Sequence, residues 1–265
     1  MLAMVRKELK DNRRSLFIWI GAMLGIIAIG AAEYHAVMEA GDEIMELFES
    51  LPHVLAIVFG AETIPVHTPL GYYIMMYLWY SVIAFTHAAM LGATIISKEE
   101  RNRTAEFIFT KPFTRKDIIT SKMIAAIINV VIITLTAVIG NLIMLAPQIE
   151  GANILSEMTT TMLSMFFIQI LFLFTGFLCS AIFSNYKKSL SVSALLVALS
   201  YFVMVIVELI GKIDYLGFLT PFMYFKGPAV VENGISLFYL LLTIVITVTA
   251  CYFTYFKFRS RDLHS

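Results

Sequence analysis

The residues of this sequence whose types could do chemistry are few and scattered. His53, Glu62 and His67 fall close enough to share a metal ion, but their spacing follows no ligand pattern. A polar connecting segment accounts for them better, and no metal site is expected. Cys179 and Cys251 sit inside apolar runs, in no C-x-x-C arrangement, and read as small buried hydrophobes. The chain has no glycine-rich phosphate loop ending in Lys-Ser or Lys-Thr, no H-E-x-x-H helix and no G-x-S-x-G turn. What remains is a set of polar side chains inside or at the ends of long apolar runs: Thr86, His87, Asn129, Asn141, Gln169 and Glu208. Such groups are costly in hydrocarbon and mark function or bonding between helices. His87, Asn129, Gln169 and Glu208 are the intramembrane candidates. Asn129 and Gln169 are expected to bond across helices, and Glu208, near the end of its run, to reach water. No catalytic pair emerges, so the chain is not expected to be an enzyme.

The elements that carry these residues follow from composition. The chain is 59% hydrophobic and 14% charged, with a mean hydropathy of +0.83. A soluble domain is about 45–50% apolar and about 25% charged, so the excess must face lipid. Spanning the hydrocarbon takes about 20 apolar residues. Six stretches meet this: 15–32, 71–97, 123–145, 161–184, 190–210 and 235–256. None alternates as a barrel strand would, and backbone groups in lipid must be satisfied within the segment, so all six are helices. The fold expected is an all-α integral membrane protein, with residues 1–265 as one transmembrane domain. The first run is too long for a signal-peptide core of about 7–15 residues and reads as a retained span. Gly21 and Gly25, spaced G-x-x-x-G, would permit close packing of that span.

Orientation follows from basic residues. With the N-terminus inside, 17 of the 19 Lys and Arg fall on the inner side, leaving Lys212 and Lys226 outside. Both termini are therefore expected in the cytoplasm, in a multi-pass protein of the cell membrane. Acids lean outward, with seven of the 19 between Glu33 and Glu62. Residues 1–14 place Leu2, Val5 and Leu9 on one face and Arg6, Lys7, Lys10, Arg13 and Arg14 on the other. This predicts a basic amphipathic helix lying on the inner leaflet. On the outer side, residues 37–51 repeat as one amphipathic helix ended by Pro52. Residues 215–231, broken by Pro221, Gly227 and Pro228, predict short re-entrant or surface helices.

The most informative segment joins the second and third spans. Residues 97–123 read SKEERNRTAEFIFTKPFTRKDIITSKM, with seven basic residues and the acids Glu99, Glu100, Glu106 and Asp117. Lys111-Pro112 breaks a first helix, and Thr114 with Asp117 opens a second in the manner of a capping box. Mixed charge on a rigid protrusion, residues 98–122, suits a protein partner better than lipid alone. Net charge is zero, and no nucleic-acid partner is expected.

In Ser97-Lys98-Glu99-Glu100, Thr104-Ala105-Glu106-Phe107, Thr110-Lys111-Pro112-Phe113-Thr114-Arg115 and Ser121-Lys122, this segment resembles the ABC-2 family of ABC-transporter permeases. That family commonly reads K-E-x-E-x-G-T-x-E-x-L-x-x-x-P-x-S-R after span two, with a Lys opening span three. Arg103 stands where the family often has Gly. Six spans and a basic N-terminal surface helix match as well. The resemblance implies a type V exporter-like architecture and a permease that pairs with a second permease chain, identical or different. It implies docking on a separate cytoplasmic ABC ATPase that binds ATP and Mg, leaving this chain without a cofactor. Glu99, Glu100, Arg101, Thr104, Glu106 and Phe107 would contact that ATPase, and Lys187 and Lys188, in the short turn 185–189, would form a smaller contact. Residues 215–231 would cap the outer end of the pathway. The cargo expected from 15 Met and 21 Phe residues is amphipathic or hydrophobic: membrane-active peptides, lipids or drugs. Two other readings stay open. A non-transporting membrane scaffold or immunity protein would share the composition. A secondary transporter would show inverted repeats and broken spans, and these spans are unbroken.

Overall fold

Short polar signals set where the long helices begin. The computed structural model describes residues 1–61, 64–97, 114–148, 154–183 and 185–259. Helices α1 (Leu2–Ala40), α2 (Asp42–Ser50), α3 (His53–Phe59), α4 (Pro69–Ile95), α5 (Arg115–Met144), α6 (Ile154–Ile182), α7 (Tyr186–Ile210), α8 (Pro221–Tyr224), α9 (Gly227–Asn233) and α10 (Leu237–Arg259) follow one another, with 3-10 turns at Ala146–Gln148 and Asp214–Leu219. Thr68 caps α4 by accepting the Gly71 N–H at 3.1 Å, with Pro69 at the first helical position. Thr114 and Asp117 form a reciprocal capping box at the start of α5. The Asn185 side chain accepts the Lys187 and Lys188 N–H groups and opens α7.

Six helices, α1, α4, α5, α6, α7 and α10, are long and apolar enough to cross a membrane, and no strand occurs among the described residues. Cross-helix bonds fix their directions. Tyr72 at the start of α4 reaches Gly30 late in α1, Ile95 at the end of α4 meets Lys122 early in α5, and Ser189 early in α7 meets Ala93. With Tyr73 of α4 bonded to Thr161 early in α6, and Thr120 early in α5 to Tyr255 late in α10, helices α1, α5 and α7 run one way and α4, α6 and α10 the other. The start of α1, the end of α4, the start of α5, the end of α6, the start of α7 and the end of α10 share one end of the bundle, the terminal end. Helices α2, α3, α8 and α9 gather at the far end.

The centre is the pair α4 and α6, and glycine explains why they sit so close. A Cβ added to Gly92 would lie against the Leu173 carbonyl oxygen and 3.1 Å from the Gly176 Cα. With only hydrogens there, the two backbones touch, and dispersion over the crossing holds the pair together in lipid. Ser193 and Ser189 of α7 donate to the Ala89 and Ala93 carbonyls of α4 at 3.0 and 3.1 Å, fastening a third helix to the same face.

Three expectations are corrected. Residues 1–14 are not a separate surface helix. Nothing between Leu2 and Ala40 breaks the backbone pattern, and the buried stripe Val5, Glu8, Met23, Ile27, Gly30 and Tyr34 keeps one register throughout. A change from basic to apolar composition does not by itself end a helix. The 39 residues give a rod of about 58 Å, nearly twice the hydrocarbon thickness of about 30 Å. Residues 37–51 are not one helix either: Gly41, at φ +52°, ends α1, and α2 restarts with Asp42 and Glu43 in its first turn. The close packing expected of Gly21 and Gly25 is not made within this chain: among the described residues, no atom of another element lies within 4 Å of a Cβ built on either. Among the described residues, the glycines that bring two spanning-helix backbones into contact are Gly92 and Gly176.

Candidate coupling site at the base of the charged segment

The two stems of the charged segment, the end of α4 and the beginning of α5, are tied to each other and to α1 by one side chain. Lys122, two turns into α5, points inward. Its ammonium donates to the Ile95 carbonyl at 2.7 Å and to Glu8 Oε1 at 3.1 Å. Lys122 is 2% exposed and Glu8 5%. Ile95 is the last residue of α4, so its carbonyl is one of the groups a helix C-terminus leaves without an intrahelical donor. A cation is the natural partner there, and a carboxylate beside it compensates the buried charge. Such a pair contributes little net stability against apolar residues, but removing one member is costly, so it fixes geometry.

Neighbouring bonds widen the junction. Thr120 and Tyr255 hydroxyls meet at 2.8 Å, linking α5 to α10. Together with the bonds from Ser189 and Ser193 of α7 to α4, five of the six long helices are bound at this end by side-chain hydrogen bonds. The arrangement offers no nucleophile, acid or base poised over a substrate. What it does is hold the end of α4, the start of α5 and α1 to one another through one side chain.

A second polar feature lies at the far end. Glu208 of α7 pairs with Lys226, just before α9, at 2.7 Å. The pair borders a cavity of about 40 Å³ lined also by Tyr77, Ser81, Phe85, Met204, Phe222 and Phe225. That is room for water and not for a drug-sized molecule. Tyr77 donates to the Phe225 carbonyl across it at 3.4 Å. The short helices α8 and α9 are thus clamped onto α4 and α7.

The other sequence-identified residues fall as follows. Glu99, Glu100, Arg101, Thr104, Glu106 and Phe107 lie outside the described residues. Lys187 and Lys188 are exposed in the first turn of α7, at the terminal end. His87 is buried with its ring edge-on to Trp19 at 5.5 Å, on α1. Gln169 bonds across helices, donating to Thr134 at 2.9 Å. Asn129 does not: its amide donates to Ala125 one turn back in its own helix, at 2.7 Å, because the residue faces a tightly packed, fully buried side of α5. Glu208 does not reach out to water but turns to Lys226, its side chain only 9% exposed. A cation from the α8–α9 segment within bonding distance is a better partner than a longer path to solvent. The four intramembrane candidates thus answer to four different partners. Of the possible metal residues, Glu62 lies outside the described residues. His67 sits 3.9 Å from Asp42, and no cluster of three ligating side chains occurs among the described residues.

Glu8 and Lys226 were missed as site residues from sequence, and Lys122 was noted only as part of a motif. A signal for Glu8 exists. It follows Val5 by three positions on the inward stripe of a helix whose other charges face outward, and an acid there needs a buried cation.

The family model described as ABC-2 family transporter protein matches residues 2–263. No curated protein matches the chain.

Proposed function

The chain belongs to the ABC-2 family of transporters, and from that premise we propose that it is the transmembrane subunit of an ATP-driven exporter of amphipathic or hydrophobic cargo. Hydrolysis takes place on a separate ATPase subunit that docks at the terminal end and carries ATP and Mg. A second permease chain, identical or different, completes the pathway. The observation that carries this reading is the Lys122 junction, which makes the two stems of the charged segment and α1 one mechanical unit. Without such a tie, a force applied to the segment would dissipate in the connection rather than move the spans.

The distribution of charge supports a cytoplasmic location for that end. By position in the sequence, 17 basic residues belong to the terminal end and two to the far end. Closure of an ATPase dimer then pulls on residues 98–122, and the shared junction turns that pull into a concerted shift of α1, α4 and α5. The far-end clamp of Glu208 and Lys226 keeps the outer side closed until that shift arrives. This is alternating access by rigid-body rearrangement. Lys187 and Lys188, exposed beside the junction, form a second contact with the ATPase.

The test is co-expression with the ATPase, comparing wild type, Glu106→Arg and Lys122→Met. Loss of co-purification and hydrolysis together in Glu106→Arg places the docking contact in the charged segment. Retained docking with lost cargo-stimulated hydrolysis in Lys122→Met places coupling in the junction. If no ATPase co-purifies with the wild-type chain, the exporter reading falls and the scaffold or immunity reading replaces it.

A further inference from the structure

The face of α1 opposite the Glu8 junction carries five exposed basic residues within three turns. At 3.6 residues per turn, Val5, Glu8, Met23 and Ile27 share one side of the helix, buried against the bundle. Arg6, Lys7, Lys10, Arg13 and Arg14 are all exposed and lie on the other side. That outward side continues without a break into Phe17 and Ile18, which are 68% and 72% exposed. In a spanning helix, exposed Phe and Ile side chains face lipid tails. The five basic side chains therefore stand on the lipid-facing side of α1, beyond the hydrocarbon at increasing heights.

We propose that this outward face of α1 is a binding site for anionic phospholipid headgroups of the surrounding membrane. Distance along the helix supports it. Because α1 is continuous from Leu2, the basic residues sit at fixed heights above Phe17. At 1.5 Å per residue, Arg13 and Arg14 lie about 4–6 Å beyond it, and Lys10 about 10 Å. The headgroup layer is about 5–8 Å deep on each side of the hydrocarbon. Arg13 and Arg14 thus fall at the phosphates, and the long stem of Lys10 lets its ammonium bend back to them. Arg6 and Lys7, farther out, add to the local field that attracts anions. A second copy of this chain is a poor occupant, since two such faces would oppose like charges. The same four turns thus carry two functions on two faces: Glu8 holds the junction from inside, and lipid phosphates hold the helix at its depth from outside.

The proposal does not depend on the exporter reading, and the permease alone tests it. Purified protein in detergent is titrated with phosphatidylglycerol, with phosphatidylcholine and with inorganic phosphate, and bound lipid is counted by native mass spectrometry. Wild type is expected to bind phosphatidylglycerol in preference to phosphatidylcholine, and inorganic phosphate is expected not to compete. The K10Q/R13Q/R14Q variant should bind phosphatidylglycerol on the order of a hundred-fold more weakly, at about fivefold per basic residue lost, while R13K/R14K keeps most of the affinity. A further measurement uses wild type alone: phosphatidylglycerol binding should fall as salt rises, because these exposed charges are screened. Equal binding of the two lipids, a triple variant that binds as wild type does, or binding indifferent to salt overturns the proposal. So does a triple variant that keeps its lipid but loses a co-expressed ATPase, which would assign this face to protein docking.

Discussion

Replacing Glu8 by Ala removes the carboxylate that faces the Lys122 ammonium at 3.1 Å, in a place where the two residues are 5% and 2% exposed. Water cannot enter to screen the charge left behind. Breaking a buried pair from one side costs about 3–5 kcal/mol, whereas an exposed pair is worth about 0–1 kcal/mol. Lys122→Met should cost a similar amount, because it also takes the donor from the Ile95 carbonyl. The double variant E8L/K122M, with both charges gone, should recover most of the loss, since apolar residues of similar size replace such pairs at little cost. Equilibrium unfolding in mixed detergent micelles of the four proteins gives the coupling energy from the cycle. Single losses below about 1 kcal/mol, or losses that simply add in the double variant, would refute the reasoning that the junction is a buried, interdependent pair. The double variant carries a second expectation: it should be stable yet coupled poorly to the ATPase, because two apolar side chains do not fix the Ile95 carbonyl relative to α1.

Gly92→Ala should destabilise by about 1–3 kcal/mol, since the added methyl collides with the Leu173 carbonyl of α6, while Gly25→Ala, with nothing within 4 Å, should leave the unfolding midpoint unchanged. Gln169→Leu removes the bond to Thr134 and should cost about 0.6 kcal/mol, the usual size of a polar contact between spanning helices, in the same unfolding assay. Glu208→Lys places two cations together at the far-end clamp and should make residues 213–234 susceptible to limited proteolysis; E208K/K226E should restore protection if the 2.7 Å pair is what holds that segment down.

The number of spans, their order and the family were legible in the chain alone. Charge-free apolar runs of spanning length have only one solution in lipid, and a helix satisfies its own backbone whatever its neighbours are. Caps at Thr68, Thr114 and Asn185 are equally local and were open to the same kind of reading. The tertiary structure decided everything that depends on which faces meet. Gly21 and Gly25 carry the familiar small-residue spacing yet face open space, while Gly92 and Gly176, 84 positions apart, make the close crossing. Asn129 and Gln169 look alike in sequence, but only Gln169 has a hydroxyl from another helix within reach. Composition marked residues 1–14 as a surface helix, whereas the unbroken helix from Leu2 to Ala40, with its buried residues in one register, makes them the first turns of a single rod. The junction itself was the least legible element. Glu8 and Lys122 are separated by 114 residues and two spans. A buried charge pair is defined by a distance in space, and periodicity reports only the face on which each partner lies.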